Sequence, residues 1–235
     1  MLNSIGLQNP GVEHFIEHDL PFLRQHDTKI IVNICGHTLA QYCAVAERLA
    51  DCDVDMLELN ISCPNVEEGG LAFGTDPHVV ERVVRAVRHY AGQPLAVKLS
   101  PEVADITEIA RAAVSGGADA LSLINTLRGM KIDIHRRRPV LASKTGGYSG
   151  PGIMPVALRM VYEVCRVVDV PVIGMGGIAT FEDALEFIMA GAAAVAVGTA
   201  NFHNPYATVE IIEGIRGYME GNNIASLERI RGIID

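Results

Sequence analysis

Short apolar segments alternate with amphipathic helical segments along almost the whole chain, and this alternation limits the possible folds more than any other feature. The apolar segments lie at residues 29–34, 54–59, 95–99, 120–124, 170–175 and 194–198. Helical patterns follow them at residues 39–50, 77–90, 106–115, 155–167, 181–189 and 207–219. Continuous apolar strands joined by helices predict a parallel sheet that is covered on both faces.

The positions of the glycines decide between the two folds that contain such a sheet, an open doubly wound sheet and a closed barrel. A dinucleotide-binding sheet has its glycine-rich turn after the first strand, whereas here the glycines follow the last two, at Gly176-Gly177 and Gly198-Thr199. Glycines that merely close tight turns are the alternative at each position. We predict an α/β fold, a TIM (β/α)8 barrel, in which these two loops bind a phosphate.

The predicted barrel lacks two of its units. A complete barrel has eight strands and about 250 residues, whereas this chain of 235 residues shows six β/α units. Either residues 1–29 contain further sheet, or the chain is an N-terminally truncated version of a longer barrel. Because no linker or low-complexity tract divides the sequence, we expect one domain over residues 1–235.

Composition argues against several classes of function. The formal charge of −9 argues against general binding to nucleic acid or to anionic membranes. The 5 cysteines are not paired in metal-binding spacing, and no apolar run approaches the roughly 20 residues that cross a bilayer. We therefore expect reduced cysteines, no metal site and a cytoplasmic protein without a membrane span.

The loop after the second apolar segment contains a cysteine that is a candidate for chemistry. Pro64 lacks a backbone donor and restricts the residue before it, so neither strand nor helix continues easily through Cys63. We interpret this segment as an active-site loop that displays Cys63. The alternative is a buried thiol that behaves as a small hydrophobe. The other four cysteines lie in apolar patterns, and we assign them to the core.

Polar side chains follow several of the predicted strands. Lys98 ends the third strand, where an ammonium group needs an anionic or acceptor partner such as the edge of a flavin ring, unless it extends to solvent. A single asparagine at a strand end is more often a turn or cap residue, but several on one rim can bind one polar, planar ligand. These uncharged residues are Asn33, Asn60, Asn65, Asn125 and Thr126.

Seven motifs, in order along the chain, resemble the signatures of the dihydroorotate dehydrogenase family. They are Asn3-Ser4-Ile5-Gly6-Leu7, Asn60-Ile61-Ser62-Cys63-Pro64-Asn65, Lys98-Leu99-Ser100-Pro101, Ile124-Asn125-Thr126, Gly146-Gly147-Tyr148-Ser149-Gly150-Pro151, Gly174-Met175-Gly176-Gly177 and Val197-Gly198-Thr199. The resemblance extends over almost the whole chain. It implies an FMN-containing barrel that oxidises (S)-dihydroorotate to orotate in pyrimidine biosynthesis.

The resemblance also implies a role for individual residues. Cys63 matches the catalytic base, which takes a proton from ring carbon C5 while hydride leaves C6 for the flavin. The residues that resemble substrate-binding groups are Asn3, Ser4, Ile5, Gly6, Leu7, Asn60, Asn65, Asn125 and Thr126. Those that resemble FMN contacts are Asn33, Asn60, Lys98, Ile124, Gly150, Gly176, Gly177, Gly198 and Thr199.

Two features resemble the NAD-linked type of the family, namely cysteine rather than serine at position 63 and the run Gly69-Gly70-Leu71-Ala72-Phe73-Gly74-Thr75-Asp76-Pro77. That type implies a heterotetramer with an electron-transfer subunit that carries FAD and a [2Fe–2S] cluster. The family also has a further N-terminal segment with the first barrel strands and a lysine that contacts flavin and substrate, which this chain lacks.

Two alternatives to this function stay open. One is a flavin barrel that resembles dihydropyrimidine dehydrogenase, which shares the Asn-x-Ser-Cys-Pro loop but for which we expect histidine in place of Asn65. The other is a truncated, non-catalytic chain that binds only a partner subunit. Tyr148 stands where the resemblance leads us to expect leucine, in a segment near the substrate.

Overall fold

The structure, a computed structural model, describes residues 1–61 and 73–234. Cys63 and Asn65, two of the predicted site residues, lie outside this range. Six parallel strands occur where the sequence predicts them, and each is followed by a helix. The strands are β2 (Ile31–Ile34), β3 (Met56–Asn60), β4 (Leu95–Lys98), β5 (Ala120–Leu123), β10 (Val172–Met175) and β11 (Ala194–Ala196).

Three of the helices that follow these strands begin after a residue whose side chain accepts a hydrogen bond from a free backbone N–H group of the first turn. The Thr38 side chain accepts a hydrogen bond from the Gln41 amide, and Asp76 accepts from the amides of His78 and Val79. The helices are α3 (Leu39–Leu49), α4 (Pro77–Tyr90), α5 (Ile106–Ser115), α6 (Met154–Cys165), α7 (Phe181–Met189) and α8 (Ala207–Gly221).

The chain divides into two compact units. The first unit comprises Met1–Ser4, Ser100–Thr107 and Ser122–Asp235, and the second comprises Ile5–Leu99 and Glu108–Leu121. The parallel strand order is β2-β3-β4-β5 in the second unit and β5-β10-β11 in the first, with β5 divided between them. That the chain forms one domain stays a prediction.

The core of the second unit shows why β3 and α4 form. Leu57 and Leu59 are fully buried on one face of β3, and the alternate residues Glu58 and Asn60 lie on the other face. Helix α4 buries an apolar stripe at three- and four-residue spacing, in which every side chain has no exposed surface. The stripe consists of Val80, Val83, Val84 and Val87.

Residues 1–29 contain no further parallel strand. β1 (Leu2–Asn3) pairs antiparallel with a later strand in the first unit. In the second unit, α1 (Val12–His14), a π-helical turn (Phe15–Asp19) and α2 (Leu20–Leu23) follow one another directly. This segment therefore contributes one short antiparallel strand and no further β/α unit.

The first unit contains antiparallel strands that the sequence does not predict. The residues after Asn125 contain β6 (Leu127–Met130), β7 (Ile132–Asp133), β8 (Arg138–Pro139) and β9 (Thr145–Tyr148). β9 pairs with β1 on one side and with β6 on the other, and β7 pairs with β8. The polar, glycine-containing segments of these strands lack the apolar alternation that marks a strand.

Six parallel strands, each followed by a helix, form an α/β fold that corresponds to a partial TIM barrel, as predicted. In the residues that the structure describes, no helix is both long enough and apolar enough to cross a membrane. The same residues contain no group of three or more His, Cys, Asp or Glu side chains that could hold a metal ion.

Candidate functional site

The second unit brings three predicted flavin contacts together at the ends of neighbouring strands. Asn60, the last residue of β3, pairs in register with Lys98, the last residue of β4. Asn33 of β2 pairs with Glu58, which lies two residues before Asn60 on the same face of β3. Asn60 is buried, Lys98 is half-buried and Asn33 is exposed. The three strand ends thus present two amides and an ammonium group together.

The described residues on either side of the segment that contains Cys63 lie close together. Ile61 precedes it, and a Cβ built on Gly74, shortly after it, would lie 2.6 Å from the Ile61 carbonyl oxygen. The buried hydroxyl of Tyr42 donates a hydrogen bond of 2.7 Å to the carbonyl of Asn60, and its ring packs edge-on against Phe73. One side chain of α3 therefore contacts the chain before and after the segment.

The second unit also contains Ile5, Gly6 and Leu7, which are exposed. Gly6 and Leu7 both have positive φ angles, of 78° and 60°. The Asn9 side chain stabilises this turn, because its Nδ2 donates to the Leu7 carbonyl at 2.6 Å and its Oδ1 accepts from the Gly11 amide at 3.0 Å. The sequence does not predict this role for Asn9.

The first unit brings other predicted substrate-binding residues together around β9. Asn3 pairs with Gly147 in the antiparallel sheet, and Ser4 follows it at the end of β1. A Cβ built on Gly147 would lie 2.4 Å from the Thr126 hydroxyl oxygen, so only glycine leaves room for that side chain. Asn125 precedes Thr126, and its Oδ1 accepts a hydrogen bond from the Thr126 amide at 2.8 Å.

The predicted phosphate-binding residues of the first unit also meet. Gly177 has φ of 87°, and its Cβ would lie 2.9 Å from the Met154 amide nitrogen and 3.0 Å from the Gly150 carbonyl oxygen. Thr199 donates a hydrogen bond of 2.8 Å from its hydroxyl to that of Ser149, the residue before Gly150. The loops after β9, β10 and β11 therefore approach one another.

Gly198, Gly176 and Ile124 complete the predicted flavin contacts in the first unit. Gly198 has no atom within 4 Å of the position of a Cβ, so its backbone borders open space. Gly176 has φ of 129°, and its Cβ would lie 3.5 Å from the Ile124 side chain. The Ile124 amide donates to the Met175 carbonyl at 3.0 Å, which joins the end of β5 to the end of β10.

A capping box fixes the chain directly after the Gly176-Gly177 loop. Thr180 accepts a hydrogen bond from the Asp183 amide, and the Asp183 carboxylate accepts from the amides of Thr180 and Ala179 at 2.9 and 2.8 Å. The N-cap of α7 is thereby fixed three residues after Gly177. The Thr-x-x-Asp spacing is a signal in the sequence that could have identified this support.

The four cysteines that we assigned to the core are partly exposed, so that prediction is wrong in detail. Cys35 follows β2, Cys165 ends α6, and Cys43 lies within α3 at a partly exposed position. Burial still raises the pKa of the Cys35 and Cys43 thiols, and it raises the pKa of Cys165 to about 11. A thiol with a raised pKa stays protonated at neutral pH and cannot accept a further proton, which leaves the three unsuited to proton abstraction.

The six β/α units define a class of protein, the α/β-barrel enzymes, in which the functional site lies at the carboxyl ends of the strands. The family model described as dihydroorotate dehydrogenase matches residues 1–219. The chain belongs to this family, whose members are flavin-dependent oxidoreductases.

Two similar bacterial proteins carry the name "Dihydroorotate dehydrogenase B (NAD(+)), catalytic subunit". The protein from Alkaliphilus metalliredigens is 67% identical over 232 residues, which are 99% of this chain and 77% of that protein. The protein from Lachnoclostridium phytofermentans is 61% identical over 234 residues, 100% of this chain and 78% of that protein. The relatives are longer than this chain, as the six predicted units led us to expect.

Proposed function

We propose that this chain catalyses the FMN-dependent oxidation of (S)-dihydroorotate to orotate in pyrimidine biosynthesis. The observation that carries the proposal is the register at the ends of β3 and β4, where Asn60 lies beside Lys98. An amide beside an ammonium group at a strand end suits a planar ligand with both acceptor and donor groups. Membership of the dihydroorotate dehydrogenase family supports the same reaction.

The residues of the first unit fit the phosphate of FMN. The Gly198 backbone borders open space, and Gly177 has a conformation that other residues rarely adopt. Backbone N–H groups at such glycines can donate to a phosphate dianion without a side chain in the way. Gly150, Gly176 and Thr199 would complete this cradle. In the second unit, Asn33, Asn60 and Lys98 would contact the flavin ring.

Bound FMN supplies the two-electron acceptor for the hydride that leaves C6. Cys63 takes the proton from C5 and acts as the general base. A free thiol has a pKa near 8.5, so Cys63 needs a neighbouring group that stabilises its thiolate, or an alkaline medium. Amide and hydroxyl groups hold the pyrimidine ring and its carboxylate so that both C–H bonds are correctly aligned. These groups belong to Asn3, Ser4, Asn60, Asn65, Asn125 and Thr126, with Ile5, Gly6 and Leu7 contributing backbone.

The physiological electron acceptor is NAD, reached through a partner subunit. The names of the relatives, which include NAD(+) and "catalytic subunit", support this part of the proposal. The partner carries FAD and a [2Fe–2S] cluster and forms a heterotetramer with this chain. We expect the assembly to function in the cytoplasm.

A spectral titration tests the proposal. After incubation with FMN and removal of the unbound flavin, the purified chain should show a flavin band at about 450 nm, and anaerobic addition of dihydroorotate should bleach it. Dihydrouracil should leave the band intact. If dihydrouracil alone bleaches the band, the chain belongs instead with the dihydropyrimidine-reducing barrels. If the chain takes up no FMN, the alternative of a non-catalytic chain is supported.

The role of Cys63 is tested separately. Cys63→Ser should bind FMN as the wild type does but reduce it with dihydroorotate about 100-fold more slowly at neutral pH, since general base catalysis contributes about that much. Cys52→Ser is the matched control, and it should reduce FMN at the wild-type rate. Equal rates for Cys63→Ser and the wild type would remove Cys63 from the mechanism.

A further inference from the structure

Glu58 is a buried carboxylate for which the proposed reaction has no role so far. Its exposed fraction is 9%, and among the described residues it is the one Asp, Glu, Lys or Arg in the buried class. A carboxylate is costly to remove from water unless other groups donate hydrogen bonds to it or carry the opposite charge. A glutamine or a leucine would fill the same space at lower cost, so the charge itself calls for an explanation.

The register of the sheet places Glu58 among three residues that we propose as flavin contacts. It lies on the same face of β3 as Asn60, two residues closer to the start of the strand, and directly across from Asn33 on β2. Its neighbour on β4 is Ala96, a small residue, and Lys98 lies diagonally across, within reach of a long side chain. The carboxylate is therefore one layer below the strand ends.

The contact between Glu58 and Asn33 determines how the amide is oriented. Asn33 Nδ2 donates a hydrogen bond of 2.5 Å to Glu58 Oε2. An ionised carboxylate can only accept, so the NH2 side of the amide has to face it. Within residues 1–61 and 73–234, the Asn33 oxygen and the second N–H remain for another partner, and because Asn33 is exposed, a ligand can reach them.

We propose that Glu58 is a positioning residue for the flavin site, a role that rests on the proposed function. It orients Asn33 so that the amide oxygen accepts a hydrogen bond from the cofactor, and it places a negative charge close to the ring. Reduction adds electrons to the ring, and a nearby negative charge opposes this. Glu58 therefore lowers the midpoint potential of the bound flavin.

Two substitutions separate the charge from the orientation. Glu58→Gln keeps the volume and an acceptor oxygen but removes the charge, so the midpoint potential should become more positive while the FMN dissociation constant changes less than about threefold. Glu58→Ala removes the acceptor, and FMN should bind about tenfold more weakly. Glu108→Gln, an exposed residue of α5, makes the same change in charge and should alter neither quantity.

A double-substitution cycle with Asn33→Ala tests whether Glu58 acts through Asn33. In the Asn33→Ala background, Glu58→Ala should change the FMN dissociation constant by less than about twofold, since no amide is left to orient. The potential is measured by equilibration with a reference dye, and affinity by titration of the apoprotein with FMN.

The outcomes distinguish this inference from the proposed function. If the wild type binds FMN but Glu58→Gln leaves its potential unchanged, or if the two alanine substitutions are additive, Glu58 has no positioning role. If the wild type binds no FMN, the proposed function fails and the inference with it. Glu58→Gln decides the question by itself if Glu58→Ala does not yield folded protein.

Discussion

Gly177 is the residue at which the local conformation and the proposed cofactor site are most directly linked. Its φ of 87° lies in the left-handed region, and a Cβ there would press on the Met154 amide nitrogen and the Gly150 carbonyl oxygen. A side chain would therefore strain the backbone and push apart two of the loops that form the phosphate cradle.

Gly177→Ala should weaken FMN binding at least about tenfold, or ~1.4 kcal/mol, since the loop has to move away from the phosphate. Titration of the apoprotein with FMN, followed by flavin fluorescence, measures this effect.

Gly217→Ala is the control, because Gly217 lies in α8 and has no atom within 4 Å of a Cβ position. It should leave FMN affinity unchanged and raise helix stability by up to about 1 kcal/mol. Equal FMN affinity for Gly177→Ala and the wild type would contradict a phosphate site at this loop.

At the scale of residues, the sequence predicts which side chains lie at strand ends but not which contact one another. Asn60 and Lys98 each end an apolar segment, and that position is readable from the sequence. The contact of Asn33 with Glu58, and of Tyr42 with the Asn60 carbonyl, depends on register between strands and on helix packing. The periodicity of the sequence determines neither the register between strands nor the packing of helices, so both contacts were missed.

At the scale of elements, the predicted bounds of a helix are correct where local sequence signals mark its ends. The bounds of α4, α5 and α7 agree with those predicted from apolar spacing, and Asp76 and Thr180 cap two of these helices. β6 to β9 were missed because their pairing, and not their composition, makes them strands. Two adjacent glycines in β9 are typical of a turn, yet they allow close contact with Asn3 and Thr126.

Asp55 joins three elements at the start of β3. Its carboxylate accepts hydrogen bonds from the Ile30 amide at 2.9 Å, from Lys29 at 2.9 Å and from Arg24 at 3.2 Å. The Ile30 amide and then the Lys29 ammonium lower its pKa to about 2 from an ordinary 3.8. The folded state therefore favours the ionised carboxylate.

The depressed pKa of Asp55 predicts a pH dependence of stability. Its contribution is complete above about pH 4 and is lost as the pH falls from about 4 to about 2, where the folded protein also binds the proton. Asp55→Asn should lower the free energy of unfolding at neutral pH and reduce its decline over that acid range. Urea denaturation at several pH values measures both effects.

Asp51→Asn is the matched control for this experiment, since Asp51 is exposed and close by in the sequence. It should leave the pH profile of the wild type unchanged. A profile for Asp55→Asn that parallels the wild type between pH 4 and 2 would show that Asp55 contributes nothing through its charge.

At the scale of the whole molecule, each unit ends its parallel sheet with an open strand. Within the described residues, β2 pairs with β3 alone and β11 with β10 alone. Ile31 of β2 is 49% exposed. Unpaired backbone groups beside an exposed apolar residue form a template for pairing with another chain.

Ile31→Lys should at least roughly halve the fraction of the purified chain that self-associates, because charge at an edge opposes strand pairing. Analytical ultracentrifugation at several concentrations measures that fraction. Val209→Lys adds the same charge to an exposed position of α8, away from any strand, and should have little effect. Equal reduction by the two variants would indicate net charge rather than the edge of β2.

The contacts around Tyr42 have a consequence for engineering this protein. Because Ile61 and Gly74 already touch, the ends of the intervening segment stay together whatever sequence joins them. Doubling the length of a flexible segment with fixed ends costs only about 0.6 kcal/mol in closure entropy. We therefore expect β3 and α4 to keep their structure when residues are inserted between Ile61 and Phe73, and a thermal melt of each insertion variant measures this.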